Sequence, residues 1–150
     1  MKRATTVVAA TALLAVLGAC GGTGTGTQAK ATPKPTPGSS MVAVTLTEFA
    51  VALDHASAAA GPITFSVTNK GSIGHEFVVL KTDLAPSALP GGSKVPEKAA
   101  GITIVDEVEG MAPGAKADLK VTLQPGHYVL LCNIEGHNMG GMHAAFEVSS

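Results

Sequence analysis

Short alternating runs of apolar and polar residues, separated by glycine and proline, fill residues 41–150. In ITFSVTN, for example, Ile63, Phe65 and Val67 fall on one face, as expected for a strand with one buried side. Turn signals such as NKGSIG, LPGGS, MAPGA and QPGH follow many of these runs. The pattern predicts an all-β fold, a Greek-key β-sandwich of about seven to eight strands.

Two stretches of this domain need an interpretation of their own. The run VAVTLTEFAVAL alternates and is interpreted as one strand, the first of the domain. The stretch DLAPSALP allows a helical turn beginning near Asp83, and its prolines limit that turn to a short one.

The first 40 residues do not resemble the rest of the chain. Lys2 and Arg3 precede an apolar run that ends in the sequence LGAC, which resembles the lipoprotein box of exported bacterial proteins. We therefore predict a lipoprotein signal peptide over residues 1–19 and lipidation of Cys20. A plain signal peptide with an incidental cysteine is the alternative. Residues 20–40 contain no large apolar side chain and predict a flexible, lipid-anchored linker to a domain at 41–150.

Charge and cysteine content narrow the functions open to that domain. Residues 41–150 contain six lysines and eleven acidic residues, a net charge of −5, which disfavours nucleic acid as a partner. The chain has two cysteines. If Cys20 carries lipid, Cys132 has no disulfide partner, and an unpaired thiol in an oxidising compartment favours a metal-ligand role.

The sequence LLCNIEGHNMGGMH places sulfur and imidazole donors together near the end of the chain. Thiolate, thioether and imidazole suit copper and other late transition metals. Cys132 ends a predicted strand, and the spacing Cys-x4-His-x4-Met brings His137 and Met142 into or beside the same loop. His75 is the best candidate for a fourth ligand because it opens a strand at one end of the sandwich, where loops converge.

These motifs resemble those of the cupredoxins, the plastocyanin- and azurin-like blue-copper proteins. YVLLCNIEGHNMGGMHAAFEV together with GHEFVVLK is similar in particular to the rusticyanin and sulfocyanin branch. The resemblance implies one copper ion held by four residues: His75, Cys132, His137 and Met142. Glu76 departs from the asparagine that often follows the first histidine and fastens the ligand loop, and Asn133 is a candidate for fastening a neighbouring loop.

Other residues allow alternative interpretations. His143 could replace Met142 in a tetrahedral zinc site with His75, a hypothesis disfavoured because positions 142 and 143 should point to opposite faces of a strand. Met111 and Met139 are either packing residues or part of an apolar rim where a redox partner docks. The remaining histidines, His55 and His127, and the acidic stretch DEVE are interpreted as ordinary solvated surface.

The resulting functional hypothesis is an exported protein that cycles one copper ion between Cu(I) and Cu(II) on the outer face of a membrane. Its expected partner is a redox protein such as a cytochrome or a respiratory complex. The alternative is an extracytoplasmic copper chaperone or store, for which the additional methionines would bind Cu(I). An enzyme is not expected, because multicopper oxidases need more histidines than the five in this chain.

Overall fold

The computed structural model describes residues 41–150, and the predicted signal peptide, Cys20 and the linker lie outside them. The described residues form nine β-strands and one short 3-10 helix, Pro86–Ala88. The strands are β1 Met41–Thr47, β2 Ala50–Leu53, β3 Ser57–Ala59, β4 Gly61–Asn69, β5 His75–Lys81, β6 Thr103–Met111, β7 Lys116–Leu123, β8 Gly126–Leu131 and β9 His143–Ser149. The all-β prediction is confirmed. The stretch DLAPSALP contains one short helical turn, as expected, but the turn begins at Pro86 rather than near Asp83.

The strands form two sheets that pack face to face. One has the order β2-β1-β4-β7, and the other has the order β3-β9-β8-β5-β6. The β1–β4 and β3–β9 pairs are parallel, and the remaining pairs are antiparallel. Neighbours in the sheets are often distant in sequence, which is the signature of Greek-key connections. Within residues 41–150, no helix is long and apolar enough to cross a membrane.

The prediction of a single first strand over residues 42–53 is wrong, and the difference matters for the site. The run from 42 to 53 folds back on itself as an antiparallel hairpin, with Thr47 opposite Ala50. Its two-residue turn is Glu48-Phe49, and Phe49 adopts φ 41. A tight hairpin turn requires positive φ, so this backbone conformation closes the hairpin even though phenylalanine rarely adopts it. The division of this run and the short strand β3 bring the number of strands to nine.

The inward faces of the two sheets form the main core. Phe65 is fully buried there, and its ring contacts Phe77 and Phe146 at centroid distances of 5.5 and 5.4 Å. A second apolar cluster lies on the other face of β5 and β8. Because both faces of these strands are covered, the sequences FVVL and YVLL are continuous apolar runs rather than alternating ones. The metal-binding candidates lie at the ends of these two buried strands.

Candidate metal centre

His75 and Cys132 are positioned by neighbouring strands of the same sheet. His75 is the first residue of β5, and Cys132 follows the last residue of β8. Since β5 and β8 are antiparallel, the start of one lies beside the end of the other. Both side chains are completely buried.

The segment between β8 and β9 carries the remaining candidates and is closed by its own backbone. Cys132 N donates a hydrogen bond to Met142 O, and Met142 N donates one to His137 O, each at 3.0 Å. Gly136 and Gly141 adopt positive φ of 84 and 104, conformations that other residues rarely adopt. These hydrogen bonds therefore hold Cys132, His137 and Met142 together at the end of the sandwich.

Three donor atoms converge at this end. The Nδ1 atoms of His75 and His137 are 3.3 Å apart, and Cys132 Sγ is 3.3 Å from His137 Nδ1 and 4.0 Å from His75 Nδ1. A point equidistant from the three lies about 2.1 Å from each, close to metal–nitrogen and metal–sulfur bond lengths of about 2.0–2.3 Å. The spacing therefore fits one metal ion.

Of the other candidates, Met142 lies beside the donor group, whereas the three remaining histidines lie away from it. Met142 is fully buried in the same core cluster as Cys132. His143 points elsewhere: its Nδ1 lies 2.9 Å from Asn138 Oδ1, and among the described residues the metal-binding group contains no fourth histidine, cysteine or carboxylate. The zinc hypothesis therefore lacks its fourth donor. His55 and His127 are exposed, as interpreted from the sequence.

Burial sets the protonation of the donors. Desolvation, followed by the proximity of His137, lowers the pKa of His75, so the imidazole is neutral near pH 7 and can offer a lone pair. Desolvation also raises the pKa of the Cys132 thiol. The thiol therefore keeps its proton at neutral pH unless a metal is bound, and a bound cation would replace that proton.

Backbone and amide groups around the donors form a supporting layer. Glu76 contributes through its backbone, whose N–H donates to Cys132 Sγ at 3.4 Å, whereas burial raises the pKa of its carboxyl group. Asn133 fastens the segment before β6: its Oδ1 accepts from Val95 N at 2.7 Å, and its Nδ2 donates to Val95 O at 3.0 Å. The sequence-based role of Asn133 thus has a direct structural counterpart.

The residue that fastens the His75 loop was not predicted from the sequence. Asn69, the last residue of β4, is fully buried; its Nδ2 donates to Ile73 O and to Met111 O, each at 2.8 Å. Its Oδ1 accepts from Gly71 N at 2.8 Å. An asparagine six residues before the histidine thus fastens the loop, a task that the resemblance assigned to the position after it. The available signal was an asparagine between a strand and a glycine turn, which is common in loops without ligands.

Glu48 and Phe49 in the β1–β2 turn were also missed. Glu48 Oε1 accepts hydrogen bonds from Ser72 N, Ser72 Oγ and Ile73 N, and it lies 3.9 Å from His75 Nε2. Hydrogen bonds from its own backbone and from Ser72 lower the pKa of Glu48 to about 2, so the group is a carboxylate at neutral pH. The ring of Phe49 meets that of His137 edge-on, with centroids 5.6 Å apart.

A Greek-key sandwich with a buried His-Cys-His group at one end, next to a buried methionine, defines a cupredoxin, the blue-copper class. The family model of the sulfocyanin domain matches residues 55–150, and the chain belongs to that family. One copper ion is the cofactor that family membership and the donor set imply. Cupredoxins are generally electron-transfer proteins rather than enzymes. The described residues contain one metal-binding group, as this function requires.

Solved structures share the fold. Reduced auracyanin from Roseiflexus castenholzii aligns with a TM-score of 0.58 and 22% identity, over 75% of this chain and 98% of that one. Auracyanin B aligns at 0.55 and 18% identity, over 79% and 94% of the two chains. Rusticyanin from Thiobacillus ferrooxidans aligns at 0.53 and 16% identity, over 73% and 78%. No curated protein sequence matches the chain significantly.

Proposed function

We propose that the protein is a single-electron carrier in which His75, Cys132, His137 and Met142 would hold one copper ion. The observation that carries this proposal is the convergence of three buried donor atoms at distances that fit one ion. Copper in such a site supplies one-electron chemistry by cycling between Cu(I) and Cu(II).

The surrounding chain supports this function by limiting rearrangement. His75 and Cys132 lie at the ends of buried, paired strands, and His137 is in a loop closed by hydrogen bonds. Donors held in this way keep nearly the same positions in both oxidation states, which favours rapid electron transfer. The Glu76 N–H at Cys132 Sγ stabilises negative charge on the sulfur and thereby tunes the reduction potential.

The copper-handling alternative is not favoured. It assigned Cu(I) binding to the additional methionines, but Met111 is buried in the main core, whereas Met139 is 70% exposed. The two methionines thus lie in different environments rather than forming a shared surface for Cu(I). A buried donor group made for one ion supports retention of copper during electron transfer.

The finer description of location and partner is also a proposal. The LGAC sequence supports lipidation of Cys20 and attachment to the outer face of a bacterial membrane, with residues 21–40 as the tether. A redox protein such as a cytochrome or a respiratory complex would exchange electrons with the domain. Fractionation tests the anchor: Cys20→Ser should leave the copper site unchanged and release the protein from membranes. Continued membrane association of this variant would contradict lipid anchoring.

Addition of Cu(II) to the purified protein tests the central proposal. We expect an intense visible thiolate-to-copper charge-transfer band and its complete loss in Cys132→Ser, because no other proposed ligand is a thiolate. His143→Gln is the matched control, since it removes a nearby imidazole that lies outside the donor group, and it should retain the band. A colourless wild-type protein that binds one zinc ion tightly would refute the blue-copper function.

A further inference from the structure

One nitrogen of His75 is not explained by the metal site. Its Nδ1 faces Cys132 and His137, whereas Nε2 points away from them. Among the described residues, Nε2 is the one buried side-chain nitrogen or oxygen without a hydrogen-bond partner. A histidine that binds a metal through Nδ1 carries its proton on Nε2, and this N–H is usually directed to a carboxylate, a carbonyl or water.

The nearest acidic atom is Glu48 Oε1, at 3.9 Å from Nε2. That atom also accepts hydrogen bonds from Ser72 Oγ and Ile73 N, each at 3.0 Å, and from Ser72 N. The carboxylate is therefore held against the loop that leads into His75. Three donors of that loop define its position. Glu48 itself belongs to the turn between β1 and β2, whereas His75 begins β5 of the other sheet.

Gly71 keeps the space between the two groups open. A Cβ atom at this position would lie 2.7 Å from Glu48 Oε1 and 2.8 Å from His75 Nε2, distances that real Cβ atoms do not show. Any other residue would push the carboxylate or the imidazole away. The approach of Glu48 to His75 thus depends on a glycine placed between them.

The next residue of the turn contacts the other imidazole. Phe49 has φ 41 and is the one non-glycine residue with positive φ in the described part of the chain. Its ring meets the His137 ring at 87°, and a Cβ on Gly140 would lie 2.9 Å from Phe49 Cδ1. This unfavourable backbone conformation directs the ring onto His137 and into the space that Gly140 leaves.

We propose that the β1–β2 turn is a positioning element of the copper site, in which the negative charge of the Glu48 carboxylate, 3.9 Å from His75 Nε2, keeps the Nε2–H of that imidazole turned toward it, and the Phe49 ring holds His137. The inference rests on the proposed ligand assignment. The turn precedes residues 55–150, so it lies outside the part of the chain that the sulfocyanin family model matches.

The proposal predicts two effects of the Glu48 charge. A carboxylate beside Nε2–H favours the tautomer that leaves the Nδ1 lone pair free, and it makes the imidazole a stronger donor. Its negative charge also stabilises the more positive oxidation state, Cu(II), relative to Cu(I). Removing the charge should therefore weaken the tautomer preference and raise the reduction potential.

Glu48→Gln tests both effects with little change of shape. Nitrogen NMR of the copper-free protein should show an at least threefold fall in the ratio of Nε2–H to Nδ1–H tautomers of His75. Voltammetry of the copper protein should show an at least threefold shift of the redox equilibrium toward Cu(I), or about 28 mV at 59 mV per tenfold change. Glu147→Gln is the matched control because it makes the same chemical change at an exposed carboxylate. Glu147 lies on β9, four residues after His143, where that strand begins.

Phe49→Ala tests the second contact. Loss of the ring should increase the rate at which a chelator removes copper at least threefold, whereas Met139→Ala, which shortens an exposed side chain of the same surface, should leave that rate unchanged. Circular dichroism of each variant verifies folding. Equal copper-release rates in wild type and Phe49→Ala would overturn the proposed role of the ring.

The outcomes separate this inference from the proposed function. A blue wild-type protein in which Glu48→Gln and Glu147→Gln have the same potential and the same His75 tautomer ratio would refute the role of Glu48 and leave the electron-carrier function intact. Retention of the visible band in Cys132→Ser would refute the ligand assignment itself.

Discussion

The chain supplies the two halves of the metal centre in different ways. Cys132, His137 and Met142 belong to one loop that is closed by its own backbone hydrogen bonds. His75 depends on Asn69, which ends β4, and on Glu48, which directly follows β1. Because β1 and β4 pair in parallel with Leu46 opposite Asn69, the two strands end side by side, and Glu48 therefore comes close to His75. The contiguous half is thus specified locally, whereas the discontinuous half is specified by the arrangement of strands.

Deleting the side chain of Asn69 should produce the largest loss of stability. Asn69→Ala removes three hydrogen bonds from a fully buried site, at about 1 kcal/mol each, so the free energy of unfolding should fall by about 3 kcal/mol. Urea unfolding of the copper-free protein measures this change. A loss below that of Asn133→Ala would contradict the view that the discontinuous half depends more strongly on its support.

Asn133→Ala is the corresponding change in the contiguous half. It removes two hydrogen bonds to Val95 and should lower the free energy of unfolding by about 2 kcal/mol. The loop itself keeps its backbone hydrogen bonds, so the visible band should remain. Loss of the band on this substitution would show that the loop is not self-supporting.

The same contrast explains what the sequence could predict. Alternation and turn signals predicted the sandwich, and donor spacing pointed to Cys132, His137 and Met142, because these signals are local. His75 could be chosen because it opens a strand after a turn. The carboxylate beside it could not, since Glu48 appeared to continue a strand and its approach depends on strand register and on Gly71.

The alternation of apolar and polar residues also gave too little information for strands that are covered on both faces. The apolar runs of β5 and β8 predict burial, but they do not say what covers their second face. The second apolar cluster includes Val95 and Ile102 from the connection between β5 and β6, which packs over that face. Its cover has no regular pattern, so only the structure could show it.

Met142→Gln should change the potential while the protein remains folded and coloured. Glutamine offers a harder oxygen donor, which favours Cu(II) over Cu(I) relative to a thioether. We expect the potential to fall by at least about 59 mV, a tenfold change in the redox equilibrium. Voltammetry measures the shift, and an unchanged potential would remove Met142 from the ligand set.

Met139→Gln should have the smallest effect on the site and is the counterpart of Met142→Gln within the same loop. Met139 is 70% exposed, whereas Met142 is completely buried, so only the latter can act on the metal directly.

The loops around the donor group expose three large apolar side chains: Met139, Phe49, which is 48% exposed, and Ile73, which is 42% exposed. A polar group there makes this surface less favourable for close approach of a second protein, because polar atoms must then lose water. We therefore expect an unchanged potential and a slower electron self-exchange between two copies, measured by NMR line broadening in mixtures of the oxidised and reduced protein. A large fall in potential in Met139→Gln, with none in Met142→Gln, would reverse the assignment of Met142 and place the functional methionine in the exposed part of the loop.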